Sequence, residues 1–391
     1  MTDASHPPVD TPANDAVKSD ILIERRGSAG FITLNRPKAL NALSLAMVTE
    51  LLAVLTAWRD DPAVQLVAIR GTNKAGRPGT PDSLFGGFCA GGDIRFFHQA
   101  ALADGGVDPA LADFFTTEYT LNHLIHHYPK PYIAFMDGVV MGGGMGLSQG
   151  ASGGNVFRIV TEHTKMAMPE TNIGLFPDVG GGFFLSRCPG SVGEYLALTG
   201  EVIGAEQALA YGLADVQRAA AELPAIWAAL GQHAWTSTAD ACSWVATELR
   251  ATQVVNTWAN TQIDAYFSLL RVKHIVDALE KSSDPWATKT AAVLRKRSPL
   301  MLHVALEQVR RARSMAFADE LRMERDMVHN CFALRPGTAS ETVEGIRALA
   351  VDKDYSPKWL PARIEDVKPG MADAFFVSPW SPEEHPLKHL H

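Results

Sequence analysis

The stretch MPETNIGLFPDVGGG at 168–182 sets two acids, Glu170 and Asp178, on a chain bounded by prolines and glycines. Such a stretch turns rather than running on as a helix or strand, so it presents both carboxylates from a loop. In the plainer reading Asp178 caps the helix entering VGGGFFL and Glu170 is a solvated loop carboxylate. If the two acids instead meet at one site, their repulsion raises the pKa of one. That acid can then donate a proton while the other serves as base.

Two glycine-rich stretches upstream supply what such acids would work with: MGGGMGLS at 141–148 and FCAGGDIR at 88–95. Amides without bulky side chains can approach a carbonyl oxygen and hold the charge that develops on it. As a phosphate loop the Gly142-Gly143-Gly144 run fails, because no Lys-Ser/Thr pair follows and GxGxxG spacing is absent. A tight strand-to-helix turn is the plain alternative. The functional reading puts the Gly143 amide at a helix start, where orphan N–H groups favour an oxyanion. In FCAGGDIR, Asp93 is read as the cap of the helix beginning IRFF, with Ala90 or Gly91 offering a second amide. Cys89 reads as a small buried hydrophobe, with no histidine marked as its base.

Glu118, in TTEYTLNHL, falls on a helix and reads by default as an exposed carboxylate. His123, His126 and His127 have i, i+3, i+4 spacing, but no acid or cysteine completes a metal-ligand pattern, so they read as packed or surface histidines. No metal site is expected.

Outward from these motifs, ILIERRG (21–27) and GFITLN (30–35) read as paired strands, and QLVAIRG (65–71), PYIAFMDG (131–138) and FRIVTE (157–162) as further strands. Ser44 can cap a helix carrying Leu45, Val48, Leu52 and Leu55. The pattern predicts a mixed α/β core over 20–216, a helical C-terminal region over 217–361, and an extended, partly mobile tail over 362–391. Residues 1–19, with three prolines and no arginine, read as a disordered leader. The 391 residues carry a formal net charge of −8 and no basic stripe, which argues against nucleic acid as a partner. No apolar run reaches the roughly 18 residues of a membrane span. The four cysteines form no CxxC pair, which fits a reducing, cytoplasmic setting.

These motifs resemble the crotonase (enoyl-CoA hydratase/isomerase) superfamily, and within it the chain is similar to the 3-hydroxyisobutyryl-CoA hydrolases. The resemblance runs from about Ile21 to Pro361 and includes LNRPKALNAL, TEYTLN, LALTG and DKDYSPKW. It implies a spiral of ββα units followed by a helical region, and an oxyanion hole from the amides of Ala90 and Gly143. It implies that Arg36, Lys38, Ala39, Leu40, Ala90, Gly91, Gly92 and Asp93 embrace coenzyme A. Glu118, Gly143, Glu170 and Asp178 match positions that contact substrate, with Glu170 and Asp178 as the catalytic pair.

One position separates the subclasses. Hydratases of the superfamily carry GGGCE, whereas this chain reads GGGMG and has Gly146 in place of the glutamate. That argues for hydrolysis of a β-hydroxyacyl-CoA thioester, as in valine breakdown, over addition of water to a double bond. The rivals are an enoyl-CoA hydratase or isomerase and a non-catalytic binding paralogue. The expected partner is an acyl-CoA substrate, with no cofactor, no membrane, and homo-oligomer formation left open. The loops 73–87 and 151–155 look longer than the hydrolase pattern and leave the preferred acyl chain undecided.

Overall fold

The computed structural model describes residues 19–73, 84–104, 106–150, 154–249 and 261–391. The leader expected over 1–19, apart from Ser19, lies outside the described residues, as do most of the loop 73–87 and residues 151–153.

The described strands are β1 (Ile21–Arg26), β2 (Ala29–Leu34), β3 (Leu66–Gly71), β4 (Tyr132–Met136), β5 (Val139–Met141), β6 (Val156–Val160), β7 (Lys165–Ala167) and β8 (Val216–Gln217). β1 and β2 form the expected antiparallel hairpin, with Ile21 opposite Leu34 and Arg26 opposite Ala29. From β2 onward the main sheet is parallel, in the order β1-β2-β3-β4-β6-β8. Every residue of β2, β3 and β4 is buried, which is why they read as apolar runs rather than alternating ones. Their period of two still sorts the side chains. Ile32 and Leu34 join the larger core, while Phe31 joins a second one on the opposite face.

The helix Leu45–Asp60 begins as read, with the Ser44 side chain accepting from the Met47 amide at 3.3 Å. It buries Met47, Val48, Leu51, Leu55 and Trp58. Trp58 lies so close to β2 that a Cβ at Gly30 would stand 2.6 Å from its ring. The opposite face is covered from the C-terminal half, by the helix Leu223–Gln232 with Trp227 and Leu230 in the second core. Arg70 of β3 is buried beneath this layer, its guanidinium 4.0 Å from the Trp227 ring.

The tail departs from expectation. Phe375, Leu387 and Leu390 are buried, and Asn330 donates to the carbonyls of Ala374, Phe375 and Val377 at 2.9–3.3 Å. Arg322 likewise holds the carbonyls of Leu387 and Leu390. Three spaced apolar anchors and two side-chain clamps order a segment whose proline-rich composition suggested mobility.

Candidate active site

A second, two-stranded sheet brings the motifs together. β5 pairs in parallel with β7 on one side and makes a single bridge to Cys89 on the other. Cys89 donates to the Val139 carbonyl at 2.9 Å and accepts from Met141 at 3.0 Å, while the Gly142 amide donates to Ala167 at 3.3 Å. The chain therefore leaves three adjacent rows at one end: FCAGG from the first, GGG from β5, and MPE from β7. The short helix Gly143–Gly146 starts at that end.

The acids converge there. A Cβ at Gly142 would stand 2.8 Å from Glu170 Oε1, and one at Gly143 would stand 2.6 Å from Glu118 Oε1. Glu118 sits on the helix Pro109–His126, whose start is fixed by Pro109 and by the Asp108 side chain accepting from Ala110. It is only 2% exposed, so the default reading of a solvated helix carboxylate does not hold. Glu170 and Asp178 are each 6% exposed, which likewise excludes a solvated Glu170. Asp178 does not cap the following helix, whose N-cap is Gly180; instead it accepts from the Tyr119 hydroxyl at 3.0 Å.

Burial, with Asp178 as the next cause, raises the Glu170 carboxyl well above its usual range. Burial also raises Glu118, with Asp178 and Glu170 adding to the effect. Asp178 is pushed up to about 7 by burial, opposed by the Tyr119 hydroxyl. No cation is among the causes of these three shifts, so each carboxyl is harder to ionise than a solvated one. Glu118 Oε1 and Glu170 Oε2 are buried without a hydrogen-bond partner among the described residues. Unpartnered oxygens beside an unspent amide can take their bonds from another molecule.

The amides need one correction. The Ala90 N–H donates to the Leu40 carbonyl at 3.0 Å and so is already spent. Three residues beyond Leu40, Leu43 donates to the Gly91 carbonyl at 2.8 Å and accepts from Asp93 at 2.9 Å. In a bridge of this kind the intervening residue turns its own N–H to the opposite edge. Gly92 is that residue, and its amide has no partner among the described residues. The Gly143 amide, first in its helix, is also without one. Gly91, at φ +99°, makes the approach feasible: a Cβ there would stand 3.2 Å from the Gly143 nitrogen.

The neighbouring loop is pinned rather than open. Asn41, not singled out by sequence reasoning, donates through Nδ2 to the carbonyls of Thr72, Gly87 and Phe88 and accepts from Arg36 N. Arg36 pairs with Asp93 at 3.2 Å and donates to the Ala42 carbonyl. The Asp93 side chain consequently makes no capping bond to its helix. Lys38, by contrast, is exposed. Cys89 is buried, its thiol donates to the Asn41 carbonyl, and burial pushes it up to about 12. His126 stacks on Phe317 with ring centres 3.9 Å apart, in keeping with packed histidines.

Comparison with known proteins bears on this geometry. Residues 29–376 match the family described as Enoyl-CoA hydratase/isomerase. A relative from Arabidopsis thaliana, "Probable 3-hydroxyisobutyryl-CoA hydrolase 3", is 38% identical over 372 residues, 92% of each chain. "3-hydroxyisobutyryl-CoA hydrolase, mitochondrial" from Gallus gallus is 37% identical, covering 92% of this chain and 89% of its own. Among solved structures, an enoyl-CoA hydratase from Rhodobacter sphaeroides 2.4.1 superposes with a TM-score of 0.78 at 34% identity, covering 92% of this chain and 98% of that one. With most of its length matched and relatives above a third identical, the chain belongs to the enoyl-CoA hydratase/isomerase family.

Proposed function

We propose that this protein hydrolyses the thioester of a short branched β-hydroxyacyl-CoA, 3-hydroxyisobutyryl-CoA above all, releasing 3-hydroxyisobutyrate and coenzyme A. The observation that carries the reading is the pairing of buried, unspent carboxylate oxygens with two unspent glycine amides, at a site whose residue 146 is glycine. The names of the plant and bird relatives support it. The bacterial structure named a hydratase supports the same fold, but Gly146 offers no carboxylate to share in adding water across a double bond.

In this mechanism the thioester oxygen lies between the amides of Gly143 and Gly92, the latter in place of Ala90. Glu170 in its ionised form takes a proton from water, which attacks the carbonyl carbon, or attacks that carbon itself to give an acyl-glutamyl anhydride that water then opens. As the C–S bond breaks, Asp178 gives its proton to the departing thiolate. A pKa of about 7 suits that exchange near neutral pH. Glu118 and Asp178 hold the substrate hydroxyl. Lys38 and the backbone of Ala39, Leu40 and residues 90–93 flank coenzyme A, with Arg36 and Asp93 bracing that loop through their ion pair. The chemistry moves protons and steadies an oxyanion, so we assign no cofactor. A cytoplasmic setting is part of the same reading; the chicken relative is named mitochondrial.

Incubating the purified protein with a panel of acyl-CoA esters, while following thiol release and enoyl absorbance together, tests this directly. Thiol release from 3-hydroxyisobutyryl-CoA is expected, and isobutyryl-CoA should be far poorer. A site built to bind a hydroxyl rejects the analogue lacking it by up to about 10⁴-fold. Loss of enoyl absorbance without thiol would establish a hydratase instead, and neither signal would indicate a binding paralogue.

A further inference from the structure

Val179, the residue after Asp178, is held at φ 59°. A β-branched residue takes that left-handed conformation only where its surroundings impose it. Val179 is 2% exposed and is followed by Gly180 at φ +83°. What imposes the conformation is visible on two sides of the loop. A Cβ added at Gly146 would stand 2.7 Å from Val179 Cβ, 3.0 Å from Val179 Cγ2 and 2.8 Å from Asn122 Nδ2. The Asn122 amide is the free end of a side chain and can swing away. The valine Cβ is fixed to the backbone and cannot. On the other side, Glu324 accepts from the amides of Gly180 at 2.7 Å and Gly182 at 3.1 Å, and Gln308 donates to the Pro177 carbonyl at 2.7 Å.

We propose that Gly146 and Val179 form a positioning lock, in which Val179 seats against the bare Cα of Gly146 and so fixes Asp178 beside Glu118 and Glu170. Gly146 then does more than omit a carboxylate. Any side chain at 146 excludes the present path of the Asp178 loop, so residue 146 and the loop conformation are chosen together. A hydratase-type glutamate therefore cannot be installed at 146 by a single substitution without displacing Asp178. The inference rests on the reading of Asp178 as a residue of the hydrolytic site.

The test is a two-position cycle on the full chain, with hydrolysis kinetics and thermal melting measured on each protein. Gly146→Ala should lower kcat by about 10²-fold through misplacement of the acid, with KM changed far less. Val179→Gly, which adopts φ 59° without strain, should fold and lose about tenfold in kcat as Asp178 loosens. In the Val179→Gly background the socket has no occupant, so adding Gly146→Ala should cost at most about threefold more. Such a rescue is not expected of a merely structural role. Equal losses from Gly146→Ala in both backgrounds, or a folded Val179→Gly protein with wild-type kcat, overturn the lock. Asp178→Asn is the control: if it alone leaves kcat intact, the reading of Asp178 falls. If it abolishes turnover while Gly146→Ala does not lower kcat, the lock falls and that reading stands.

Discussion

Two groups of buried acids bear on the loop 177–182, and they differ in what their oxygens do. Glu324, on the helix Phe317–Ala333, accepts from Gly180, Gly182 and Gln308, with Glu320 a turn away. Glu118 and Glu170 lie against Gly143 and Gly142, with Asp178 near enough to raise both. Burial raises Glu324 well above the usual carboxyl range, just as it raises Glu170, and pushes Glu320 up to about 7. A shifted pKa therefore does not separate the groups. The oxygens of Glu324 are spent on the chain that carries Asp178, and Glu320, its own oxygens unpartnered, lies beside Gly182, whose amide Glu324 holds. Glu118 Oε1 is unspent beside Gly143, whose amide is unspent too, and Glu170, with Oε2 unspent, lies beside Gly142. Glu324 holds the loop, while Glu118 and Glu170 each keep a buried oxygen without a partner among the described residues.

The sharpest way to break this contrast is to remove charge from each group. Glu170→Gln keeps the shape of the site but supplies neither a base nor a competent nucleophile. It should cost about 10²–10⁴-fold in rate, falling on kcat with the fold intact. Steady-state kinetics on the folded variant checks this, and near wild-type kcat would end the assignment. Single turnover of the wild type in oxygen-18 water sharpens it further, since attack by Glu170 leaves solvent oxygen in its carboxylate.

Glu324→Ala should do the reverse. It strands the amides of Gly180 and Gly182, and each buried donor left without an acceptor costs about 1–3 kcal/mol. Urea unfolding should show a lowered midpoint, with a smaller fall in kcat than in Glu170→Gln. A kcat loss as large as that of Glu170→Gln, at unchanged stability, would move Glu324 into the chemistry.

What sequence could reveal follows the same division. The hairpin, the parallel strands and the motif acids were legible because apolar runs and glycine clusters are local signals. Glu118 was not read as buried, because its partners Gly143 and Asp178 lie 25 and 60 residues away in sequence and only the fold joins them. The Ala90 amide looked available because its consumption by Leu40 depends on a chain crossing. Gly92 could have been found only by tracing which edge of the FCAGG segment is paired. Gln308 and Glu324 carry no motif at all, and Asn41, though inside LNRPKALNAL, gave no sign of its role, because these side chains act through bonds to distant backbone. The tail misled because proline and histidine masked three anchors, Phe375, Leu387 and Leu390.

A third prediction uses pH. Burial pushes Asp178 up to about 7 in the folded protein, against about 3.9 for an unfolded aspartate. Because its folded pKa is raised, the unfolded chain releases this proton first. Its contribution to stability is fully present below about pH 4 and is lost as pH rises to 7. Asp178→Asn, whose amide oxygen can still accept from Tyr119, should therefore melt like wild type near pH 4 and above it at pH 7–8, while turnover collapses. A variant that is more stable and less active marks a residue kept for function. Lower stability at pH 8 would instead class Asp178 with Glu324, as a structural acid.

The smallest effect is expected at Cys89, which lies in the same FCAGG segment as the Gly92 amide but has its contacts spent, as Glu324 does. Its thiol donates to the Asn41 carbonyl at 3.2 Å and lies 3.5 Å from the Gly91 amide. With the thiol pushed up to about 12, the thiolate fraction at pH 7 is on the order of 10⁻⁵, too small for a nucleophile that must react in that form. Cys89→Ala removes two weak sulfur bonds and one sulfur's volume. It should lower stability by about 1 kcal/mol and leave most of the turnover. Kinetics and melting of the variant, together with resistance of Cys89 itself to thiol alkylation in the wild type, check this, Cys242 being the partly exposed thiol. Inactivation of a well-folded Cys89→Ala protein would show that spent contacts do not disqualify a buried group from the chemistry, and the distinction between the two acid groups would lose its basis.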